Sequence, residues 1–212
     1  MADLSNNIEA SVYRPDDDQH LVSLCKRGDV DAFEVLVRRY EKKMFNIAFR
    51  MLGSHEDAVE VVQDTFVAAF RHITGYKEKA AFSTWLTSIV LNQSRNRIKQ
   101  VKVRQRHEQR VPENPVAGED EPVGFDPPAE GLTPLEQLEQ HDLRGAVQGC
   151  LAAMDTEFRE VLILRDMQGC SYHEIADILG VAEGTVKSRL FRARTAARDS
   201  LKGLVEDLTD GL

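Results

Sequence analysis

One acidic, proline-rich stretch divides this chain into two parts. The run EDEPVGFDPPAEG holds three prolines, two glycines and five acids in thirteen residues. Residues 111–142 carry nine acids and no Lys or Arg. Such a segment buries too little apolar surface to offset the entropy of ordering it. Residues 108–132 are therefore expected to form a flexible acidic linker. The flanks predict two folded units, residues 19–107 and 133–204. An acidic, disordered extension is expected at 1–18 and a short tail at 205–212.

Both flanks read as helical throughout, and strand signals are nearly absent. Leu21, Leu24 and Cys25 start a short helix that ends at Gly28. Phe33, Leu36, Val37, Tyr40, Met44, Ile47, Ala48 and Met51 then keep helical spacing up to Gly53. Ser54 opens the next helix, with Asp57 three residues on as a weaker form of the capping box. Val59, Val62, Phe66, Ala69 and Phe70 are expected on its inner face. A fourth helix is predicted from about Phe82 to Arg106. In the second unit, Pro134 suits a first helical position, and helices are predicted over 135–154, from Phe158 towards Gly169, from Ser171 to Gly180, and from about Thr185 to Leu204. The fold class is all-α, with two small helical domains.

The net charge of -8 by itself argues against a nucleic-acid binder, but the charge is segregated. Residues 19–105 carry 15 Lys/Arg against 9 Asp/Glu, while the first 18 residues hold five acids and one Arg. Basic folded units with acidic spacers fit a nucleic-acid binder. Cys25, Cys150 and Cys170 form no C-x-x-C pair and sit near no His at ligand spacing, so three reduced thiols and no metal site are expected. The N-terminus lacks the apolar run of a signal peptide, and no stretch approaches a membrane span, so a cytoplasmic protein is expected. No catalytic triad spacing, phosphate loop or H-E-x-x-H is present, so neither catalytic residues nor a cofactor are expected.

Residues 171–194 read SYHEIADILGVAEGTVKSRLFRAR. Tyr172, Ile175, Ile178 and Leu179 supply a buried face, Ala176 permits a close crossing, and Gly180 suits a turn with positive φ. Val186 and Leu190 anchor the second helix. This is the helix-turn-helix pattern. The outer face carries Lys187, Ser188, Phe191 and Arg192, flanked by Arg189, Arg194 and Arg198. Cations can pair with guanine edges or phosphates, and an apolar side chain can meet a thymine methyl. A basic face alone would fit any solvated helix; joined to the turn spacing, it points to duplex DNA.

Residues 76–106 combine aromatic side chains (Tyr76, Phe82, Trp85) with amides (Asn92, Asn96) four apart and a basic second half. Unstacked bases need flat surfaces, their edges need donors and acceptors, and the backbone needs positive charge. Trp85 and Phe82 also suit the core of a small bundle, Trp85 the more so. Tyr76, in a loop after Gly75, is less expected to be wholly structural. The preceding segment HEDAVEVVQDTFVAAF puts Asp57, Glu60, Gln63 and Asp64 on one polar side of an amphipathic helix.

Together these residues resemble the extracytoplasmic-function (group 4) sigma factors of RNA polymerase. The motifs are Glu60-Val-Val-Gln63-Asp64-Thr-Phe66, the F-x-T-W-L-x-x-I-x-x-N run from Phe82 to Asn92, and Ser171 to Leu190. The resemblance implies that residues 19–107 are sigma region 2 and 133–204 sigma region 4. It implies that Asp57, Glu60, Gln63, Asp64 and Phe66 dock on the β′ clamp coiled coil of core RNA polymerase, whose β flap meets region 4. It implies that His72, Tyr76, Lys77, Phe82, Ile89, Asn92 and Asn96 hold a base flipped from the melted −10 strand. Lys187, Ser188, Phe191 and Arg192, with Thr185 and Arg189, would read the −35 duplex, while Arg165 and Tyr172 touch its backbone. The partners implied are core RNA polymerase, promoter DNA and an anti-sigma factor, itself membrane-anchored. The pattern departs at Met154-Asp155, where the family has Leu-Pro, and in SIVLN, where an Arg before the Asn is replaced. A stand-alone helix-turn-helix regulator with an N-terminal sensor bundle is the alternative; it leaves the Tyr76–Asn96 constellation without a purpose.

Overall fold

A computed structural model describes residues 17–108 and 134–210, with side chains described over 17–104 and 143–202. The expected linker, but for its first residue, and the first sixteen residues lie outside the described residues. Eight α-helices follow among those described: α1 (Asp18–Lys26), α2 (Val30–Leu52), α3 (His55–His72), α4 (Phe82–Glu108), α5 (Pro134–Ala153), α6 (Thr156–Leu162), α7 (Tyr172–Leu179) and α8 (Glu183–Asp210). There is no strand among them.

The helices start where short polar side chains can take up free backbone N–H groups. Asp17 accepts from His20, Asp29 from Ala32 and Ser54 from Asp57. The full reciprocal box forms at Ser171, which accepts from the Glu174 N–H at 3.2 Å while Glu174 accepts from the Ser171 N–H at 2.8 Å. Asp155, standing where the family has Pro, begins α6 without a side-chain cap bond. Asp17 and Asp18, expected in the extension, belong to the first domain: Asp17 caps α1, and the Asp18 carboxylate takes Arg39 and the Tyr40 hydroxyl. The last helix runs to Asp210, beyond the expected stop at Leu204.

The α1–α4 bundle encloses Leu21, Leu36, Met44, Ile47, Met51, Leu86 and Leu91, all fully buried. The inner face of α3 is rotated from the expected one. Ala58, Val61, Thr65, Phe66 and Ala69 are buried, whereas Val59 and Phe70 are exposed. Apolar residues occur nearly all round this helix. The small Ala58 and Thr65 let neighbouring helices approach, and close packing chose that face. In the second domain Leu151, Ile163, Leu164, Ile175 and Leu190 form the core. Helix α6 passes into a π turn, Ile163–Met167, and Gly169 (φ 71°) ends it.

The two domains pack together. The C-terminal turn of α2 has carbonyls without helical partners. Gln148 of α5 donates to Phe49 O and Arg50 O, and Arg159 of α6 donates to Met51 O at 2.5 Å. Alongside, the buried Glu160 carboxylate takes two hydrogen bonds from Arg95 of α4, at 2.5 and 2.8 Å.

Candidate nucleic-acid interface

In the second domain α7 and α8 meet at Gly180, whose φ of 66° an L residue adopts only with strain. The Gly180 and Val181 N–H groups both return to Ala176 O, closing the turn. Val186, Leu190 and Ala193 are buried and fix the roll of α8. That roll leaves Lys187, Ser188, Phe191 and Arg192 outward, with the Phe191 ring 75% exposed. An apolar ring this bare loses favourable burial unless a ligand covers it. Thr185 is half-buried at the start of α8, and its carbonyl accepts from the Ser188 hydroxyl. Two cations approach the Tyr172 ring, Arg165 at 5.0 Å and Lys187 at 5.7 Å from its centroid. Arg165 also donates to Cys170 O at 2.7 Å, so its guanidinium is held in place. Arg189 departs from expectation: it turns inward to pair with Glu157 at 2.6 Å and does not join the open cationic face. Arg194, on the flank, is likewise paired, with Asp166.

In the first domain a single 3-10 turn, Ile73–Gly75, leads into the Tyr76 loop. Tyr76 is buried, against the expectation of an open loop residue. Its ring stacks on Trp85 (4.8 Å, 22° between planes) and meets the Phe82 edge at 6.0 Å. Its hydroxyl donates to Ala80 O, and burial with Glu78 and Asp18 nearby pushes the phenol pKa up, so it stays protonated. Phe82, expected in the base-capture set, is 3% exposed and packs on Tyr40, which places it in the core beneath the Tyr76 ring. Trp85 is half-buried and lines a shallow cleft with Lys77, Lys79, Thr84 and Ser88. Ile89, Asn92 and Asn96 follow Trp85 and Ser88 on the same side of α4 by helical spacing. Ile89 is half-buried; Asn92, Asn96, Lys77 and His72 are exposed. Asn92 Oδ1 accepts from Arg95 at 2.7 Å, which leaves its amide N–H groups for another partner.

On α3, Glu60, Gln63 and Asp64 are exposed. Phe66, expected in the docking set, is 8% exposed and meets Phe33 edge-on, which makes it a core residue. Arg97 of α4, which sequence reasoning missed, pairs with both Asp57 and Glu60. It fixes the acids of α3 relative to the amides of α4. Arg159 and Glu160 were also missed. Their signal is in the sequence: FREVLIL is otherwise apolar on every side, and a charged pair inside such a helix must find buried partners.

No group of His, Cys, Asp and Glu among the described residues is arranged to hold a metal. No described helix is long and apolar enough to cross a membrane. The three thiols are free.

Comparison with known proteins joins these surfaces into one assignment. The family model for sigma-70 region 2 matches residues 36–104, and that for sigma-70 region 4 matches 144–196. The RNA polymerase sigma-H factor of Pseudomonas aeruginosa is 32% identical over 90% of this chain and 96% of its own length. The ECF RNA polymerase sigma-E factor of Haemophilus influenzae is 31% identical over 89% of this chain and 97% of its own. Among solved structures, CnrH in complex with the cytosolic domain of CnrY aligns over 88% of this chain and 97% of that one, with a TM-score of 0.62 and 26% identity. The sigma factor RpoE bound to the anti-sigma factor NepR from Bartonella quintana aligns over 80% of this chain and 96% of that one, with a TM-score of 0.58 and 25% identity. With both region matches in this order, and relatives covered along nearly their whole length, the chain belongs to the extracytoplasmic-function family of RNA polymerase sigma factors.

Proposed function

We propose that this sigma factor opens promoters by a division of labour between its domains. The observation that carries the reading is two nucleic-acid faces of different design on one chain. The α8 face combines cations with a bare aromatic ring, which suits base edges in a major groove. The first-domain face combines a stacked Tyr76–Trp85 pair, exposed amides and exposed lysines, which suits unstacked bases.

In this reading Lys187, Ser188, Phe191 and Arg192 read the −35 element. Arg165, Tyr172 and Thr185 set the register on its backbone. Lys77, His72, Ile89, Asn92 and Asn96 capture a base extruded from the −10 strand, against the edge of the Tyr76–Trp85 stack. Capture offsets part of the unstacking cost of about a few kcal/mol. Glu60, Gln63 and Asp64, with Asp57 and Glu60 steadied by Arg97, dock on the β′ clamp, and region 4 meets the β flap. The acidic linker spans the two promoter elements. The protein works in the cytoplasm and catalyses nothing itself; the polymerase does the chemistry.

A protein antagonist that covers both faces completes the proposal. Support comes from the two similar solved structures, described as complexes with an anti-sigma factor and with a partner's cytosolic domain. The latter description favours a membrane-anchored antagonist. Run-off transcription with core polymerase and a promoter library tests the reading. Initiation from a two-element subset is expected. Tight specific duplex binding without polymerase, and no initiation from any promoter, would sink it in favour of a stand-alone regulator.

A further inference from the structure

Resting on that promoter-opening reading, we propose that Lys26 and Glu78 are positioning residues whose ion pair clasps the base-capture loop to α1. Through the clasp, α1 sets which base the loop accepts. Glu78 stands midway along the loop, between Tyr76 and Ala80, with a φ of 56°. It is the one residue other than glycine with a positive φ among the described residues. An L side chain crowds its own backbone there, whereas glycine would take the same shape freely. Such a conformation persists only where its surroundings hold it. The hold comes from Lys26 in the last turn of α1, whose ammonium pairs with the Glu78 carboxylate. The same ammonium lies 5.5 Å from the centroid of the Tyr76 ring, which stacks on Trp85. One cation thus ties both the loop and the stacking platform to α1. Leu21, Val22 and Cys25 are buried and root α1 in the bundle.

The clasp decides where the lysines of the loop go. The Tyr76 hydroxyl donates to Ala80 O and closes the loop on itself. Glu78 lines a cleft on the α1 side with Asp18, Gln19 and Val22. Lys77 lines the other cleft, beside Trp85, and Lys79 borders both. Turning Glu78 towards α1 therefore leaves Lys77 facing the platform. A carboxylate so near a strand site repels phosphate by charge alone. Its contribution is therefore one of shape. Without the pair the strained backbone at Glu78 relaxes, and Lys77 shifts relative to Trp85. Neither Lys26 nor Glu78 is assigned a contact with the base; both act through Tyr76, Lys77 and Trp85.

The test uses holoenzyme, the full chain on core RNA polymerase, with forked DNA built from a promoter selected by run-off transcription. The fork has a duplex −35 element and a single-stranded −10 element, in four versions that differ at the extruded base. The main readout is the spread of affinity across the four versions, measured at several salt concentrations. An exposed ion pair with an exposed cation–π contact shifts a two-state loop by about threefold to thirtyfold. Apparent affinity falls with the competent fraction, so Lys26→Met should weaken binding of the preferred fork about threefold to tenfold and narrow the spread. Glu78→Gln removes the ion pair alone and should do the same by about twofold to fivefold. Lys26→Arg should keep the spread, and the exchanged pair, Lys26→Glu with Glu78→Lys, should restore it. Tighter binding by Glu78→Gln with an unchanged spread would reduce Glu78 to a repelling charge. A salt slope lower by about one for Lys26→Met would make Lys26 a phosphate contact. Equal weakening on all four forks would leave the pair a structural role only. Each of these results overturns the clasp. Circular dichroism identifies a variant that fails to fold, and the variant on the other side of the pair then decides. A wild-type spread that both variants keep overturns the clasp alone; a wild-type holoenzyme with no spread overturns base capture and the clasp together.

Discussion

Leu190 and Phe191 are neighbours in sequence with opposite surroundings, and their truncation separates folding from recognition. Leu190 is 2% exposed under the helix-turn-helix, whereas Phe191 is 75% exposed. Leu190→Ala removes buried methyl groups and leaves a cavity, at a cost of about 2–5 kcal/mol. A domain of this size has only a few kcal/mol to lose, so most of its stability should go. Phe191→Ala removes a ring that packs on little, and should change stability by no more than about 0.5 kcal/mol. Its cost should fall on DNA: losing an apolar contact to a base is expected to weaken −35 binding by about 1–3 kcal/mol, which is about fivefold to 150-fold. Because the chain has two domains, a single unfolding midpoint would blur these effects. Native-state hydrogen exchange of the α6 and α7 amides reads the second domain locally, and fluorescence anisotropy on a −35 duplex reads binding. If Phe191→Ala lost protection as Leu190→Ala does, or if Leu190→Ala kept it, the assignment of inner and outer faces would be wrong.

Other outcomes follow from the same structure. Ser171→Ala breaks the reciprocal cap of α7 and should cost about 1 kcal/mol, seen as earlier urea unfolding. The Ser171 backbone and hydroxyl hold the Glu174 carboxyl below its ordinary value of 4.5, so this cap contributes fully above that value and is lost as pH falls through the depressed one; the mutational difference should therefore shrink in acid. Burial and the Asp29 charge push the Cys25 thiol from its ordinary 9.0 up to about 11, so iodoacetamide at pH 8 should spare it in the native protein. Since the raised value favours the neutral thiol, its stabilising share is intact below pH 9.0 and disappears as pH climbs towards about 11. Lys187→Ala should lower the salt dependence of duplex binding by about one counterion, visible in the log–log slope of affinity against salt. Deleting residues 113–130, which hold six of the linker's acids, should raise non-specific DNA affinity at low salt.

Periodicity and chain punctuation determined the all-α class, the helix order and the helix-turn-helix, because these depend on local spacing and on backbone needs that Gly and Ser declare. Charge segregation along the chain also lay in the sequence, as did the outward set Lys187, Ser188, Phe191 and Arg192. Tertiary packing decided the rest. It buried Tyr76, Phe82 and Phe66, since small bundles draw large aromatics into their cores whatever their motif suggests. It rotated α3 towards Ala58 and Thr65, because close helix approach rewards small side chains over a wide apolar face. It turned Arg189 inward to Glu157 and set Arg97 between Asp57 and Glu60. Above all it joined Arg95 to Glu160, 65 positions apart along the chain and separated by the acidic segment. Spacing within a helix reports which side chains share a face; it carries no information about which distant charge that face will meet.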